Sequence, residues 1–288
     1  MHGRDDRWAG GRGNGLPDGV AVVTIVSGRR RHLAALLAGL DRQVAAPDDV
    51  VVVSMDGAPV DTGDRPGVRV VPVPPEPDGA LPLARARNAG VHATDTATVV
   101  LLDVDCIPAP GLVASYGAAC SSVAGLVCGE VRYLPPGVPA APGRWTDGEL
   151  RDAAAQHPGR PHPAPGALVR DDRYELAWTT SLAMRRSTFD RVGGFDEGYR
   201  GYGAEDTDFG ERARGLDVGV WWTADATAYH QHHDRPGPPR RHLHDIVRNA
   251  RRFEDRHGWY PMTGWLEVFA AEGLIRYEPR DRVLEVLP

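Results

Sequence analysis

Three clusters in this chain gather side chains that could bind a metal, hold an anion or move a proton. The first is LLDVDCIP at 101–108, where Asp103 and Asp105 come directly after the hydrophobic run TVVLL at 98–102. In open parallel sheets, ligands sit beyond the carboxyl ends of the strands, so an acidic pair there stands where chemistry belongs. A bend after the strand lets the two carboxylates divide the work, one meeting a ribose and the other a divalent cation. Hard oxygen ligands suit Mg2+ or Mn2+, which would neutralise a diphosphate. The same pair would also serve as a solvated turn whose acids cap the next segment.

The second cluster, VGGFDEGYRGYGAEDTDFGER at 192–212, is richer. Gly193 and Gly194 allow a tight turn, and Gly198, Gly201 and Gly203 keep bulk away from a ligand. Glu205 and Asp206 open a helix that Asp208 continues. Acids at a helix start favour its N-terminus and cap free N–H groups, which accounts for one carboxylate better than for several. Tyr199 and Tyr202 add flat surfaces of the kind sugars stack on. The third cluster, YHQHHDRPG at 229–237, follows a short strand candidate, DATAY, and holds His230, His232 and His233. Neutral imidazole is a good ligand for manganese, zinc or iron. Histidine runs are common in surface loops too, but the acidic DxD lacks a partner, which favours a histidine completing a metal site.

The elements that must position these clusters alternate along the chain. AVVTIV at 21–26, VVVSM at 51–55, VRVVPV at 68–73 and TVVLL read as strands, and Leu33, Leu36, Leu37 and Leu40 as a helix face. The Ala-rich stretch from Leu83 to Ala93 is a second helix. Strands alternating with helices imply parallel pairing and helix-covered faces, an α/β fold. Residues 132–170 interrupt this with the proline-dense LPPGVPAAPG and HPGRPHPAPG around a short helical stretch near Asp147–Gln156. An insertion of that length is usually functional or disordered, and with 232–242 it is a candidate lid. LAWTTSLAM at 176–184 and GVWW at 219–222 restore regularity. Helices follow near Thr207–Arg214, over Arg241–His257 and over 265–273. The expected organisation is a loose tail at 1–19, one domain at 20–240 and a helical extension at 241–288 packed on it. Trp259, Tyr260 and Trp265 are assigned to packing of those last helices rather than to a dimer contact.

Composition excludes several classes. At 288 residues the chain buries one substantial core, and a net charge of -6 argues against nonspecific nucleic-acid binding. No apolar run approaches the ~18 residues of a membrane span, and the start MHGRDDRWAG lacks a signal-peptide core, so a cytoplasmic, soluble protein is expected. Cys106, Cys120 and Cys128 are odd in number and lack metal-ligand spacing, which points to buried free thiols. Every fixed basic side chain is an arginine, as in a coding bias, so arginines carry less functional weight here.

In order and spacing these motifs resemble the family 2 glycosyltransferases of GT-A fold, in the branch related to the galactosyltransferase C-terminal domain. SMDG at 54–57 is similar to the family's nucleobase-binding strand end, and LARARNAG at 83–90 to its helix before the DxD. DVD matches the DxD itself, GGFDE with GYGAED the acceptor and catalytic loop, and YHQ the metal histidine. Together they span roughly residues 20–235. The resemblance implies a mostly parallel nucleotide-binding sheet flanked by helices, and a hexose or N-acetylhexosamine moved from a nucleoside diphosphate sugar, UDP-sugar favoured, to an unidentified acceptor hydroxyl. It further implies Mn2+ or Mg2+ as cofactor and inversion at the anomeric carbon. Carried over by position, Asp56 meets the base, Asp103 the ribose and Asp105 the metal, with His230, or less favourably His232, as second ligand. Asp206 becomes the general base and Glu205 holds the acceptor. Arg87, Asn88, Trp178, Gly194 and Tyr202 complete the expected substrate-binding set. Ala204 departs from the pattern, standing where a second glycine often precedes the acidic pair. A nucleotidyltransferase could use the same sheet and acidic pair but does not account for GGFDEG followed by GAED. The intact set of Asp103, Asp105, Asp206 and His230 argues against a catalytically silent nucleotide-sugar binding module.

Overall fold

A computed structural model describes residues 19–63, 65–233 and 238–288. Except for Gly19, the expected tail lies outside the described residues, as do 234–237 of the candidate lid. In chain order the first elements are β1 (Val20–Val26), α1 (Arg30–Leu40), β2 (Asp49–Ser54), β3 (Val68–Pro72), α2 (Leu83–His92), β4 (Thr98–Leu102), β5 (Cys106–Pro108), α3 (Leu112–Ser122) and β6 (Leu126–Tyr133). There follow α4 (Asp147–Ala153), β7 (Ala155–Gln156), β8 (Leu168–Asp171), β9 (Ser181–Arg185), α5 (Arg186–Val192), α6 (Glu205–Gly215) and β10 (Val220–His230).

The central sheet runs β3-β2-β1-β4-β9-β6-β10-β5, with β3, β2, β1 and β4 all parallel. β9 is antiparallel to both neighbours, and β10 is parallel to β6. β1 is apolar apart from the buried Thr24 because both of its faces are covered, as in parallel sheets generally. Val20, Val22 and Val26 pack with the leucines of α1 and with α3, whereas Val23 and Ile25 pack with α2 and with Phe189 and Phe209 of α5 and α6. The three thiols are free and buried. The segments GVWW and DATAY, separate in the sequence reading, belong to the single strand β10, whose register shifts between Thr223 and Ala228.

The 132–170 segment has a defined course. Thr146 and Glu149 form a capping box at the start of α4, β7 pairs with β6, and β8 pairs with β10. Its Arg160 is buried, with the guanidinium 5.3 Å from the ring centre of Trp178 and 4.8 Å from that of Trp222.

Beyond the sheet come α7 (Leu243–His257), α8 (Thr263–Ala271) and a hairpin of β11 (Ile275–Glu278) with β12 (Val283–Val286). The expected helical extension therefore also contains strands. Ile246, Ala250, Leu266, Phe269, Ile275 and Leu284 give it a core, against which Tyr202 packs. A fully buried carboxylate, Asp208 of α6, fastens it to the main body. Asp208 accepts from Arg212 Nε (2.7 Å) on its own helix and from Arg256 Nη1 (2.8 Å) and His257 Nε2 (2.9 Å) on α7. Among the described residues no helix is long and apolar enough to cross a membrane.

Candidate active site

The carboxyl ends of β1, β2, β4, β6 and β10 open into one cleft of about 1140 Å³, where an open α/β sheet places its ligands. Sheet register builds its floor. β10 runs antiparallel to β5 with His230 opposite Cys106, and Gln231 N then donates to Asp105 O at 2.7 Å. That pairing carries the end of β10 to the DVD turn. His230 Nε2 lies 3.5 Å from Asp105 Oδ1, and His233 Nε2 lies 3.5 Å from Asp105 Oδ2. One ligand atom from each of these three residues falls within 4.8 Å of the others. His232 is exposed and outside this group; His233 is the second histidine that reaches Asp105. Adjacent residues of an irregular segment point differently, so spacing alone did not choose between them.

Asp105 is buried, and its Oδ1 has no hydrogen-bond partner. Burial would raise its pKa, but the charges of His230, Arg29 and His233 outweigh that and hold it below the usual carboxylate range. A buried carboxylate with an unpartnered oxygen beside two imidazoles fits a divalent cation. The mixed nitrogen and oxygen donors suit manganese better than magnesium, which prefers oxygen throughout.

A second group stands at the opening of α6. Arg87 is buried and donates to Glu205 Oε1 at 2.7 Å, with its other terminal nitrogen 3.5 Å from Asp103 Oδ1. Glu205 Oε2 is buried without a hydrogen-bond partner. Ala204, just before it, adopts a left-handed backbone (φ 74°), which costs a non-glycine residue roughly 1–2 kcal/mol. The sequence departure at 204 thus retains the glycine-like conformation. Asp206 follows, half-buried, its pKa pushed up to about 7 by burial and by Glu205 against the opposing pull of Arg87. Asp103 is also raised, by burial first and by Asp105, with Arg87 opposing.

The remaining sequence candidates divide. Trp178 and Tyr202 line the cleft, whereas Asn88 and Gly194 do not. Asn88 instead holds the GGFDE turn: its Oδ1 accepts from Phe195 N (2.8 Å), and its Nδ2 donates to Phe195 O (2.9 Å) and Glu197 Oε1 (2.8 Å). Gly194 (φ 68°) packs so closely that a Cβ would lie 3.0 Å from Asn88 Oδ1. Asp56 is exposed and accepts from Gly28 N (2.7 Å) and Ala58 N (3.0 Å), which ties down the loop after β1. Sequence reasoning missed Arg29, Tyr133 and His157 in the cleft, and placed Trp259 and Trp265 in packing alone although both line it. Tyr202 stacks on His242 (4.8 Å) and Trp265 (5.9 Å), giving the outer half an aromatic wall.

A family model described as the N-terminal domain of galactosyltransferase matches residues 167–234, the stretch that contains GGFDEG, GAED and YHQ. Validoxylamine A glucosyltransferase of Streptomyces hygroscopicus subsp. limoneus is 26% identical over 279 residues, covering 83% of this chain and 56% of that protein. Among solved structures, S. aureus TarS superposes with a TM-score of 0.54 at 14% identity, over 82% of this chain and 64% of that one. GalNAc-T7 with UDP, GalNAc and Mn2+ gives 0.51 at 14% identity, over 88% and 57%. The chain therefore has a GT-A fold, and its residues 167–234 are similar to the galactosyltransferase domain. It spans about half the length of the curated relative it matches. The DVD, LARARNAG and SMDG segments lie before the matched stretch, and the fold brings DVD and Arg87 into the same cleft as GAED and His230.

Proposed function

We infer that this chain is a metal-dependent glycosyltransferase that moves a hexose or N-acetylhexosamine from a nucleoside diphosphate sugar, UDP-sugar favoured, to an acceptor hydroxyl with inversion. One observation carries the reading: a metal-competent Asp105–His230–His233 group and a carboxylate of near-neutral pKa, Asp206, face the same cleft. Asp105, His230 and His233 would hold Mn2+, whose charge, when bound, stabilises the departing diphosphate without a protonated acid on that side. Asp103, at the start of the DVD bend, would meet the ribose, and Asp56, which fixes the loop after β1, would act on the nucleobase through that loop. Arg87 orients Glu205 and Asp103 by charge-assisted bonds. The unpartnered Oε2 of Glu205 is available to a sugar or acceptor hydroxyl. Asp206 takes the acceptor's proton, and a pKa of about 7 suits a base operating near neutrality. A single displacement with one base implies inversion.

The aromatic outer wall, where Tyr202 stacks beside Trp265, supports a hydroxylated ring as acceptor. The test is a thermal-shift and transfer panel of UDP-, GDP- and TDP-sugars with and without Mn2+, run beside Asp105→Ala. Nucleotide stabilisation that requires both Mn2+ and Asp105, with transfer of sugar, is expected. Undiminished transfer in excess chelator and in Asp105→Ala, or release of pyrophosphate in place of sugar transfer, overturns the reading.

A further inference from the structure

Three consecutive arginines follow β1, and they face different surroundings. Arg30 and Arg31 are exposed, whereas Arg29 lines the cleft and its Nη1 is hydrogen-bonded to Asp105 Oδ2. The backbone is arranged to send it there. Gly28 and Arg29 are both left-handed (φ 66° and 28°), a conformation that glycine adopts freely and arginine does not. Asp56 holds Gly28 N at 2.7 Å and so fixes the loop from its far side. Non-glycine residues kept in such conformations cluster at ligand clamps and switch regions.

The cleft has two other arginines among its described residues. Arg87 is committed to Glu205 and Asp103, and Arg241 stands at the outer rim beside His242. Arg29 alone is a guanidinium attached to the carboxylate oxygen that also faces His233. We propose that Arg29 is the internal counter-ion of the metal site: it neutralises Asp105 when no cation is bound and turns to the donor's diphosphate when one is. The proposal rests on the metal reading given above. A divalent cation and a guanidinium on one buried carboxylate repel each other, so cation binding must loosen the Arg29–Asp105 pair. The freed planar fork then matches phosphate oxygens, which it can engage in two parallel hydrogen bonds. Cation and diphosphate thereby reinforce each other's binding, and by linkage the reinforcement is reciprocal.

The experiment is titration of Mn2+ followed by its electron paramagnetic resonance signal, with and without UDP, in the wild-type chain, Arg29→Met and Arg29→Lys. Asp105→Ala serves as the control for the metal site. In Arg29→Met, Mn2+ alone should bind about tenfold tighter, because its competitor is gone, while UDP at saturating Mn2+ binds about tenfold weaker, within the usual range of such couplings. Arg29→Lys keeps a charge without the fork, so its Mn2+ affinity should stay near wild type while UDP weakens. Unchanged Mn2+ affinity in Arg29→Met, or unchanged UDP affinity in both variants, overturns the role of Arg29 and leaves the metal reading intact. Mn2+ binding that is absent from the wild type, or equal in Asp105→Ala, overturns the metal reading and this inference with it.

Discussion

Replacing Asp206 with asparagine separates a catalytic role from a helix-capping one and has a second, opposite consequence for stability. The carboxyl pKa is raised from 3.8 to about 7 by burial and by Glu205, despite Arg87. A raised acid pKa means the folded state holds the proton more tightly than the unfolded chain. Asp206 therefore destabilises the fold progressively as pH rises from about 4 to about 7, and fully above that. At 1.36 kcal/mol per pKa unit the penalty is about 4 kcal/mol, which solvent at the partly exposed carboxylate screens to roughly 1–2 kcal/mol. Asparagine keeps a side-chain oxygen for Thr207 N, now 2.8 Å from Asp206 Oδ1, but cannot take a proton. Asp206→Asn should thus raise Tm at pH 8 by roughly 2–6 °C, with the gain vanishing towards pH 4. At pH 8 it should also lose about 10²-fold or more in turnover, a loss that shrinks as pH falls below 7, while keeping donor and metal affinity, because the base touches the acceptor and not the diphosphate. Wild-type turnover should climb with pH through a midpoint near 7, and the variant should lack that limb. Differential scanning calorimetry from pH 5 to 8, beside donor titration and turnover at saturating acceptor, measures all of this. Near-native turnover would remove Asp206 as the base, and a Tm lowered at pH 8 would refute the electrostatic account.

Five further substitutions test the surrounding architecture. His230→Ala and His233→Ala should each weaken Mn2+ binding strongly and His232→Ala hardly at all, since only the first two reach Asp105; equal losses in all three, by Mn2+ titration, would refute that assignment. Asn88→Ala should destabilise the fold by roughly 1–3 kcal/mol in urea denaturation, because it leaves the buried Phe195 amide unpaired. Weaker UDP binding at unchanged stability would make Asn88 a ligand contact instead. Asp208→Asn should cost roughly 3–5 kcal/mol by exposing Arg212, Arg256 and His257 to an uncompensated buried junction. Asp208 is held below its ordinary pKa, so its stabilisation should persist above about pH 4 and fade only in stronger acid. A cost under about 1 kcal/mol would mean that the apolar core of the extension holds it without the charge network.

What the sequence determined by itself lies in short stretches with strong local signatures. Apolar β-branched runs fixed β1, β2 and β4, because a strand buried on both faces is built mostly of apolar residues. Asp103 and Asp105 were legible as a site because they follow such a run, and Glu205 and Asp206 because acids open α6. Less patterned segments were not legible. α3 is mostly buried and built of small residues, so it shows little amphipathic contrast, and Glu130 and Arg132 interrupt the apolar pattern of β6. Tertiary structure decided which residues meet. The antiparallel register of β10 on β5 carries His230 and His233 to Asp105, and no local periodicity encodes a pairing between segments so far apart. Asn88 and Gly194 moved from expected ligand contacts to the scaffold of the GGFDE turn, since a hydrogen-bonding side chain looks the same in sequence in either role. Arg29 could not be singled out in a chain whose every fixed cation is an arginine. Its left-handed backbone and the carboxylate opposite it exist only in the fold.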